Sequence, residues 1–192
     1  MRIKSAEFVT SVAYARDLAK LDKPEFAFVG RSNVGKSSLI NSLCNNKKLA
    51  KASSTPGRTR LINIFEINKQ FYFVDLPGYG FNQASKADQA KWQQLIGEYF
   101  EHTENLRRVF VLVDIRHEPS EKDIDMLKFL YAYNLPFSVI ATKADKISRG
   151  QINRHINMLA STLGIGTGDI IVTSNVTKMG NDAICEVIDS LI

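Results

Sequence analysis

The chain has 192 residues, 44% of them apolar and 23% charged, with a formal net charge of +5. That length and balance suit one folded domain with a sizeable core, and they exclude disordered and collagen-like classes. The apolar runs are strand-length and fall short of a membrane span, so no membrane partner is expected.

The chain opens with Met1-Arg2-Ile3-Lys4, which could head a signal peptide, but Lys4, Ser5, Glu7 and Thr10 break the apolar stretch such a peptide needs. A cytoplasmic protein is therefore expected. Residues 1–23 read as a lead-in, with Phe8, Val12 and Leu18 available to cover a sheet edge, and residues 24–192 as the domain proper. Glu25–Val29 is an apolar run with the character of a buried strand. Gly30-Arg31-Ser32-Asn33-Val34-Gly35-Lys36-Ser37 follows, and its apolar-periodic continuation, Ser38–Cys44, reads as a helix. Residues 47–60 carry no apolar period and form a long loop of the kind usually kept for function. From Asn45 to Phe65 the charges are Lys47, Lys48, Lys51, Arg58 and Arg60 with no acid, either a face for a polyanion or a solvated loop that also meets phosphates.

Leu61–Ile67 and Phe71–Asp75 are strand-like and separated by a hairpin-length link, which predicts an antiparallel pair. A helix is predicted over Ser85–His102, with Trp92, Leu95, Ile96, Tyr99 and Phe100 on one face as core. Then come a strand at Val109–Asp114, a helix at Ser120–Asn134 with Pro119 and Ser120 as its start signal and Glu121 and Asp123 suited to its first turn, and a strand at Phe137–Ala141. A helix at Ser148–Leu163, a strand at Ile170–Val172 and a helix at Ala183–Leu191 complete the chain. The alternation predicts an α/β, doubly wound P-loop NTPase sheet, mostly parallel with one antiparallel edge strand. Cys44 and Cys185 match no metal or redox spacing and are expected as buried thiols, and the three histidines as surface or loop residues.

The chemistry gathers where strands end. GxxxxGK[ST] between a strand and a helix is a phosphate cradle: glycines let successive N–H groups converge on one anion, and the helix start adds partial positive charge. Lys36 is placed for the β- and γ-phosphates and Ser37 for Mg²⁺. Asp75-Leu76-Pro77-Gly78 follows the next parallel strand; Asp75 suits a water-mediated hold on Mg²⁺, and the Gly78 N–H suits the γ-phosphate. At Thr142-Lys143-Ala144-Asp145, a carboxylate can accept from guanine N1–H and the exocyclic amine, neither of which adenine offers in that arrangement. Lys143 can lay its stem along the base, and the backbone of Thr173-Ser174-Asn175 can meet the guanine carbonyl. In the long loop a threonine hydroxyl can ligate Mg²⁺ while its N–H reaches the γ-phosphate; Thr59 is the first choice and Thr55 the second. Gly57, Arg58, Thr59, Arg60 and Leu61 are accordingly assigned to the nucleotide site. Lys36, Thr59 and Gly78 are the expected catalytic set, with Ser37 and Thr59 as metal ligands.

With Gly30–Ser37, Thr55-Pro56-Gly57-Arg58-Thr59, Asp75–Gly80, Asp114-x-Arg116-His117-x-Pro119-Ser120 and Thr142–Lys146 together, the chain resembles translation-factor-class GTPases of the TrmE-Era-EngA-EngB-Septin-like superfamily. More narrowly it resembles the EngB (YihA/YsxC) family of bacterial ribosome-biogenesis GTPases, which shares Thr where most GTPases have Asn at position 142. The resemblance implies GTP and GDP as ligands. It also implies association with the large ribosomal subunit or its assembly intermediates, through rRNA and ribosomal protein, and a requirement in cell division and septum formation. A monomer is expected. Tyr79 stands where Ras-like enzymes carry a water-orienting Gln, so slow intrinsic hydrolysis is expected. Related potassium-using GTPases have Asn at the position of Asn33, which is otherwise a small polar loop residue; K⁺ is a candidate cofactor, and Arg31 and Arg58 are alternative suppliers of charge. The competing readings are a P-loop kinase, which would need a lid and an acceptor pocket, and a non-catalytic GTP-binding scaffold.

Overall fold

The computed structural model describes residues 1–18, 20–50, 61–80 and 85–192, and for Lys86 the backbone alone. Its strands are β1 (Ala6–Val12), β2 (Glu25–Gly30), β3 (Ile62–Ile67), β4 (Phe71–Asp75), β5 (Leu106–Asp114), β6 (Phe137–Thr142) and β7 (Ile170–Val172). Its α-helices are α1 (Lys36–Leu43), α2 (Lys86–His102), α3 (Glu121–Ala132), α4 (Ile152–Leu163) and α5 (Asn181–Asp189).

The strands form one sheet in the order β1-β3-β4-β2-β5-β6-β7. Only β3 runs against the rest, pairing antiparallel with both β1 and β4, while β2 pairs parallel with β4 and β5. The stretch expected as a lead-in thus supplies β1, which zips onto β3 from Ala6↔Ile67 to Val12↔Ile62. Its docking is reinforced at the β3–β4 turn, where the Asn68 carbonyl oxygen accepts from the N–H groups of Lys4 at 2.7 Å and Ser5 at 3.1 Å.

The sheet separates two cores because strand side chains alternate faces. On β2, Phe26 and Phe28 face α1 and α5, while Ala27 and Val29 face α2, α3 and α4. Phe28 is fully buried, with ring centroids 4.9 Å from Phe73 and 5.1 Å from Phe110. Burying one such ring stabilises the fold by roughly 1.5–3 kcal/mol, with a further contribution from edge-to-face contact. The predicted stripe on α2 is core: Leu95, Ile96, Tyr99 and Phe100 are buried, and Trp92 packs at the margin. Cys44 and Cys185 are free and buried among the α1/α5 side chains, and burial pushes the Cys44 thiol up to about 12.

Several boundaries differ from expectation for local reasons. A 3₁₀ turn over Arg149–Gln151 precedes α4, so the α-helix starts at Ile152 rather than Ser148. β5 begins at Leu106, three residues of mixed polarity before the apolar run. α5 begins at Asn181, directly after Gly180, whose φ of +79° sets the helix entry. His155 also departs from expectation, for it lies on α4 with its Nδ1 buried and without a partner among the described residues.

Candidate functional site

The parallel strands β2, β4, β5, β6 and β7 point their carboxyl ends to one edge of the sheet, the edge where ligands bind in such folds. At the end of β2 the chain leaves through Gly30, where a Cβ would lie 2.9 Å from Val34 Cγ1 and 3.0 Å from Leu112, so any side chain would collide with the core. Asn33 and Gly35 both take left-handed backbone, with φ of +64° and +107°. Asn and Gly tolerate that conformation best, which gives Asn33 a reason of its own in the bend of the loop. Gly35 caps α1, leaving the N–H groups of Lys36, Ser37 and Ser38 without intrahelical partners, as at any helix start. The Ser32 hydroxyl is buried in the same loop with no partner among the described residues.

The loop after β4 is stitched to this one by backbone. Tyr79 N–H donates to Gly30 O at 3.2 Å, and Ser32 N–H donates to Tyr79 O at 3.0 Å. Leu76 N–H donates to Phe28 O at 3.0 Å, and Pro77 O accepts from the Trp92 indole at 2.8 Å. Gly78 passes so close that a Cβ there would sit 3.1 Å from Gly30 O. Lys36 Nζ forms an ion pair with Asp75 Oδ1, the two side chains being only 12% and 6% exposed. Asp75 also accepts from the Asn63 amide at 3.4 Å. Arg31, beside Tyr79, is exposed.

Tyr79 itself turns inward. Its hydroxyl donates to Asp123 Oδ1 at 2.8 Å, and its ring meets Trp92 edge-on at 5.9 Å. Burial, then the facing Asp123 carboxylate, holds the phenol protonated far above its usual range. The other oxygen of Asp123 caps α3, accepting from Ser120 N–H at 2.8 Å. The sequence marked Asp123 only as an acid suited to the first turn of the helix; its bond to Tyr79 ties the loop after β4 to α3.

At the end of β6, Thr142, Lys143, Ala144 and Asp145 lie beside the loop Thr173-Ser174-Asn175. Ser174 Oγ donates to Asp145 Oδ1 at 2.8 Å, and that bond above all holds the Asp145 carboxyl below its usual range. Lys146 Nζ stands 3.4 Å from Oδ2. Thr173 is fully buried, donating its N–H to Ala141 O at 2.8 Å and accepting from Ala144 N–H at 3.0 Å.

Three consecutive carbonyls of the β2–α1 loop are bound by side chains from these segments. Asn33 O accepts from Lys143 Nζ at 2.9 Å, Val34 O from the Thr142 hydroxyl at 2.8 Å, and Gly35 O from the Asn175 amide at 3.4 Å. The Thr142 hydroxyl also lies 3.0 Å from Val113 O. Position 142 thereby acts on the backbone, a reach that a hydroxyl satisfies as well as an amide. The Asn175 Oδ1 is buried without a partner among the described residues. The structure thus brings Gly30–Ser37, Asp75–Gly78, Thr142–Asp145 and Thr173–Asn175 to one edge. Leu61 lies immediately before β3, whereas Thr55, Gly57, Arg58, Thr59 and Arg60 lie outside the described residues.

Asp114 and Arg116 entered the sequence reading only through the resemblance. Asp114 ends β5 directly beside Thr142 and pairs with Lys143 Nζ at 2.9 Å. An acid at the carboxyl end of a parallel strand, as at Asp75, was the available signal.

Residues 25–143 match the family described as 50S ribosome-binding GTPase. Over its whole length the chain is 48% identical to a probable GTP-binding protein EngB of Clostridium kluyveri, covering 98% of that protein. It is 46% identical to the one of Desulfitobacterium hafniense over 99% of this chain and 95% of that protein. Its fold is shared with a crystal structure of a probable GTP-binding protein engB, with a TM-score of 0.71 at 24% identity over 87% of this chain and 97% of that one. It is also shared with Era in complex with MgGDPNP and a segment of 16S ribosomal RNA, with a TM-score of 0.64 at 22% identity over 88% of this chain and 56% of that one. The chain belongs to the EngB family of GTP-binding proteins.

Proposed function

We propose that this protein is a GTPase switch, converting GTP and water to GDP and phosphate and acting in assembly of the large ribosomal subunit. The observation that carries the nucleotide reading is the clasp of Asn33, Val34 and Gly35 carbonyls by Lys143, Thr142 and Asn175. It sets a carboxylate suited to guanine, Asp145, at a fixed distance from a helix start suited to phosphate. In this reading the N–H groups of Asn33 and of residues 35–38, with Lys36, hold the phosphates, the Val34 N–H being already bonded to Arg31 O at 3.1 Å, and Lys36 exchanges Asp75 for them. Asp75 would then be free to hold Mg²⁺ through a water. The donors fit that ion: Ser37 offers a hard oxygen ligand, and the Asp75 carboxylate a hard oxygen acceptor for such a water. Among the described residues no three His, Cys, Asp or Glu side chains gather to hold a metal ion by themselves. Bound Mg²⁺ would neutralise charge on the phosphate oxygens.

Tyr79 is engaged by Asp123 and does not offer its hydroxyl to an attacking water, which supports slow intrinsic hydrolysis. Thr59 remains the proposed switch-loop ligand of Mg²⁺ and γ-phosphate. The test is titration with fluorescent GDP and ADP, followed by phosphate release from GTP. Guanine preference and release above the enzyme-free blank are expected; equal uptake of adenine nucleotides would end the reading, and binding without release would leave a scaffold. Turnover in K⁺ and Na⁺ at equal ionic strength decides the potassium role of Asn33, which equal rates would remove.

The ribosomal role rests on the family description and on the net positive charge. Sedimentation with ribosomal subunits under GDP and under a non-hydrolysable GTP analogue tests it, with nucleotide-dependent co-sedimentation with the large subunit expected. A part in cell division and septum formation, and a cytoplasmic place of action, complete the proposal. Among the described residues no helix is long and apolar enough to cross a membrane.

A further inference from the structure

Asp114 is a carboxylate with every acceptor position used. Oδ1 accepts from Arg116 Nε at 2.9 Å and from the Arg116 N–H at 3.1 Å. Oδ2 accepts from Arg116 Nη2 at 2.7 Å and from Lys143 Nζ at 2.9 Å. Burial pushes the carboxyl up, but the Arg116 and Lys143 contacts together outweigh it and hold the group well below the usual carboxylate range. Asp114 is therefore a permanent anion lying between two cations.

Lys143 is fixed from the other side as well. Its backbone is left-handed, with φ of +65°, a conformation a lysine enters only at a cost. Its ammonium, after meeting Asp114, donates to Asn33 O at 2.9 Å. With both contacts made, its four-carbon stem is stretched between the base segment and the phosphate loop. The side chain is 29% exposed, so solvent reaches it, and its ammonium is held by Asp114 and Asn33 O. Remove the shared carboxylate and the ammonium faces the Arg116 guanidinium with no charge between them, and the lysine swings to solvent.

We propose that Asp114, gripped by Arg116, is a positioning residue for guanine-nucleotide binding that acts through Lys143. This rests on the nucleotide reading of the site above. Asp114 acts through that contact: it keeps the Lys143 stem where a purine face would lie and keeps Asn33 O bound at the phosphate loop. Arg116 forms two parallel bonds to the carboxylate, which fix its plane as well as its position.

The experiment is a double-mutant cycle on GDP affinity, read by titration of fluorescent GDP into the full chain. Asp114→Asn keeps the size and removes the charge; it is expected to raise the GDP dissociation constant about tenfold, the scale of losing a charged hydrogen bond. Lys143→Met keeps the stem and removes the ammonium, with a loss of similar size. In the Lys143→Met background, Asp114→Asn is expected to cost less than about twofold, because its route of action is gone. A purely structural role for Asp114 would instead cost the same in either background. Arg116→Met carries the same cycle on a more exposed side chain, with an expected loss of about threefold that likewise vanishes beside Lys143→Met; this pair decides the matter if Asp114→Asn does not fold. Wild-type affinity in Asp114→Asn, or losses that multiply independently with Lys143→Met, would overturn the proposal. Wild-type chain that takes up no GDP would overturn the nucleotide reading and this proposal with it. GDP uptake with an additive cycle removes the role of Asp114 alone.

Discussion

From Gly30 to Ser37 the chain presents mostly backbone, packed tight at Gly30, bent at Asn33 and Gly35, and ending on the N–H groups of α1 that have no intrahelical partner. From Thr142 to Asp145 it presents side chains, each already engaged: Thr142 on Val34 O, Lys143 on Asp114 and Asn33 O, Asp145 on Ser174. The first region is constrained by shape, since backbone donors are the same for every residue and only a Cβ or the wrong φ can spoil them. The second is constrained by functional group, since one altered atom changes what the site accepts. Lys36 is the exception in the first region, a side chain whose charge does the work.

The largest effect should come from that exception. Lys36→Ala removes the cation and strands Asp75, which is 5% exposed. GDP affinity should fall about a thousandfold and stability by about 3 kcal/mol, since one partner of a buried pair is left alone. Titration and urea denaturation measure the two, and GDP affinity within tenfold of wild type would break the division drawn above. Next comes Asp145→Asn. The amide turns a donor toward the base, so GDP affinity should fall about a hundredfold while XDP gains. Competition between the two nucleotides reads this directly, and an unchanged order of preference would sink the role given to the second region.

A shape-limited position behaves differently. Gly30→Ala adds one methyl against Val34 and Leu112 and should cost about 1–3 kcal/mol of stability. A denaturation midpoint equal to wild type would show the loop looser than its contacts imply. Thr142→Val sharpens the comparison, because it keeps shape and removes only the donor to Val34 O. A loss of about 1 kcal/mol in stability, with GDP affinity down severalfold, is expected. The smallest effect belongs to Tyr79→Phe. Its hydroxyl serves Asp123, so stability should fall by about 1 kcal/mol while GTP turnover stays within about twofold. A collapse of turnover at equal GTP affinity would return Tyr79 to the chemistry.

How far these regions were legible follows the same division. The glycine loop was readable because its chemistry needs particular residue types at particular spacings, and β2, β4, β5 and β6 were readable because strands covered on both faces are nearly continuous apolar runs. β1 was not readable as a strand. It lies at the edge of the sheet, its pairing slips between Phe8 and Thr10, and Phe8 and Val9 are 56% and 49% exposed, so no two-residue alternation survives in the sequence. The buried Glu25 was likewise hidden within an apolar run. It is held by the Tyr99 and Thr103 hydroxyls at 2.8 Å each, partners far along the chain. Asp123 was legible as an acid in the first turn of a helix, and its bond to Tyr79 could not be seen because no local pattern records it.

By itself the sequence determined the class of fold and the phosphate loop, since these depend on local spacing and on the alternation of strands and helices. The tertiary structure decided which side chains hold which backbone: Thr142 on Val34, Lys143 between Asp114 and Asn33, Asn175 on Gly35, Tyr79 on Asp123. The reason is physical. A hydrogen bond between groups dozens of residues apart leaves no periodic trace in the chain, and only the closing of the sheet brings its donor to its acceptor.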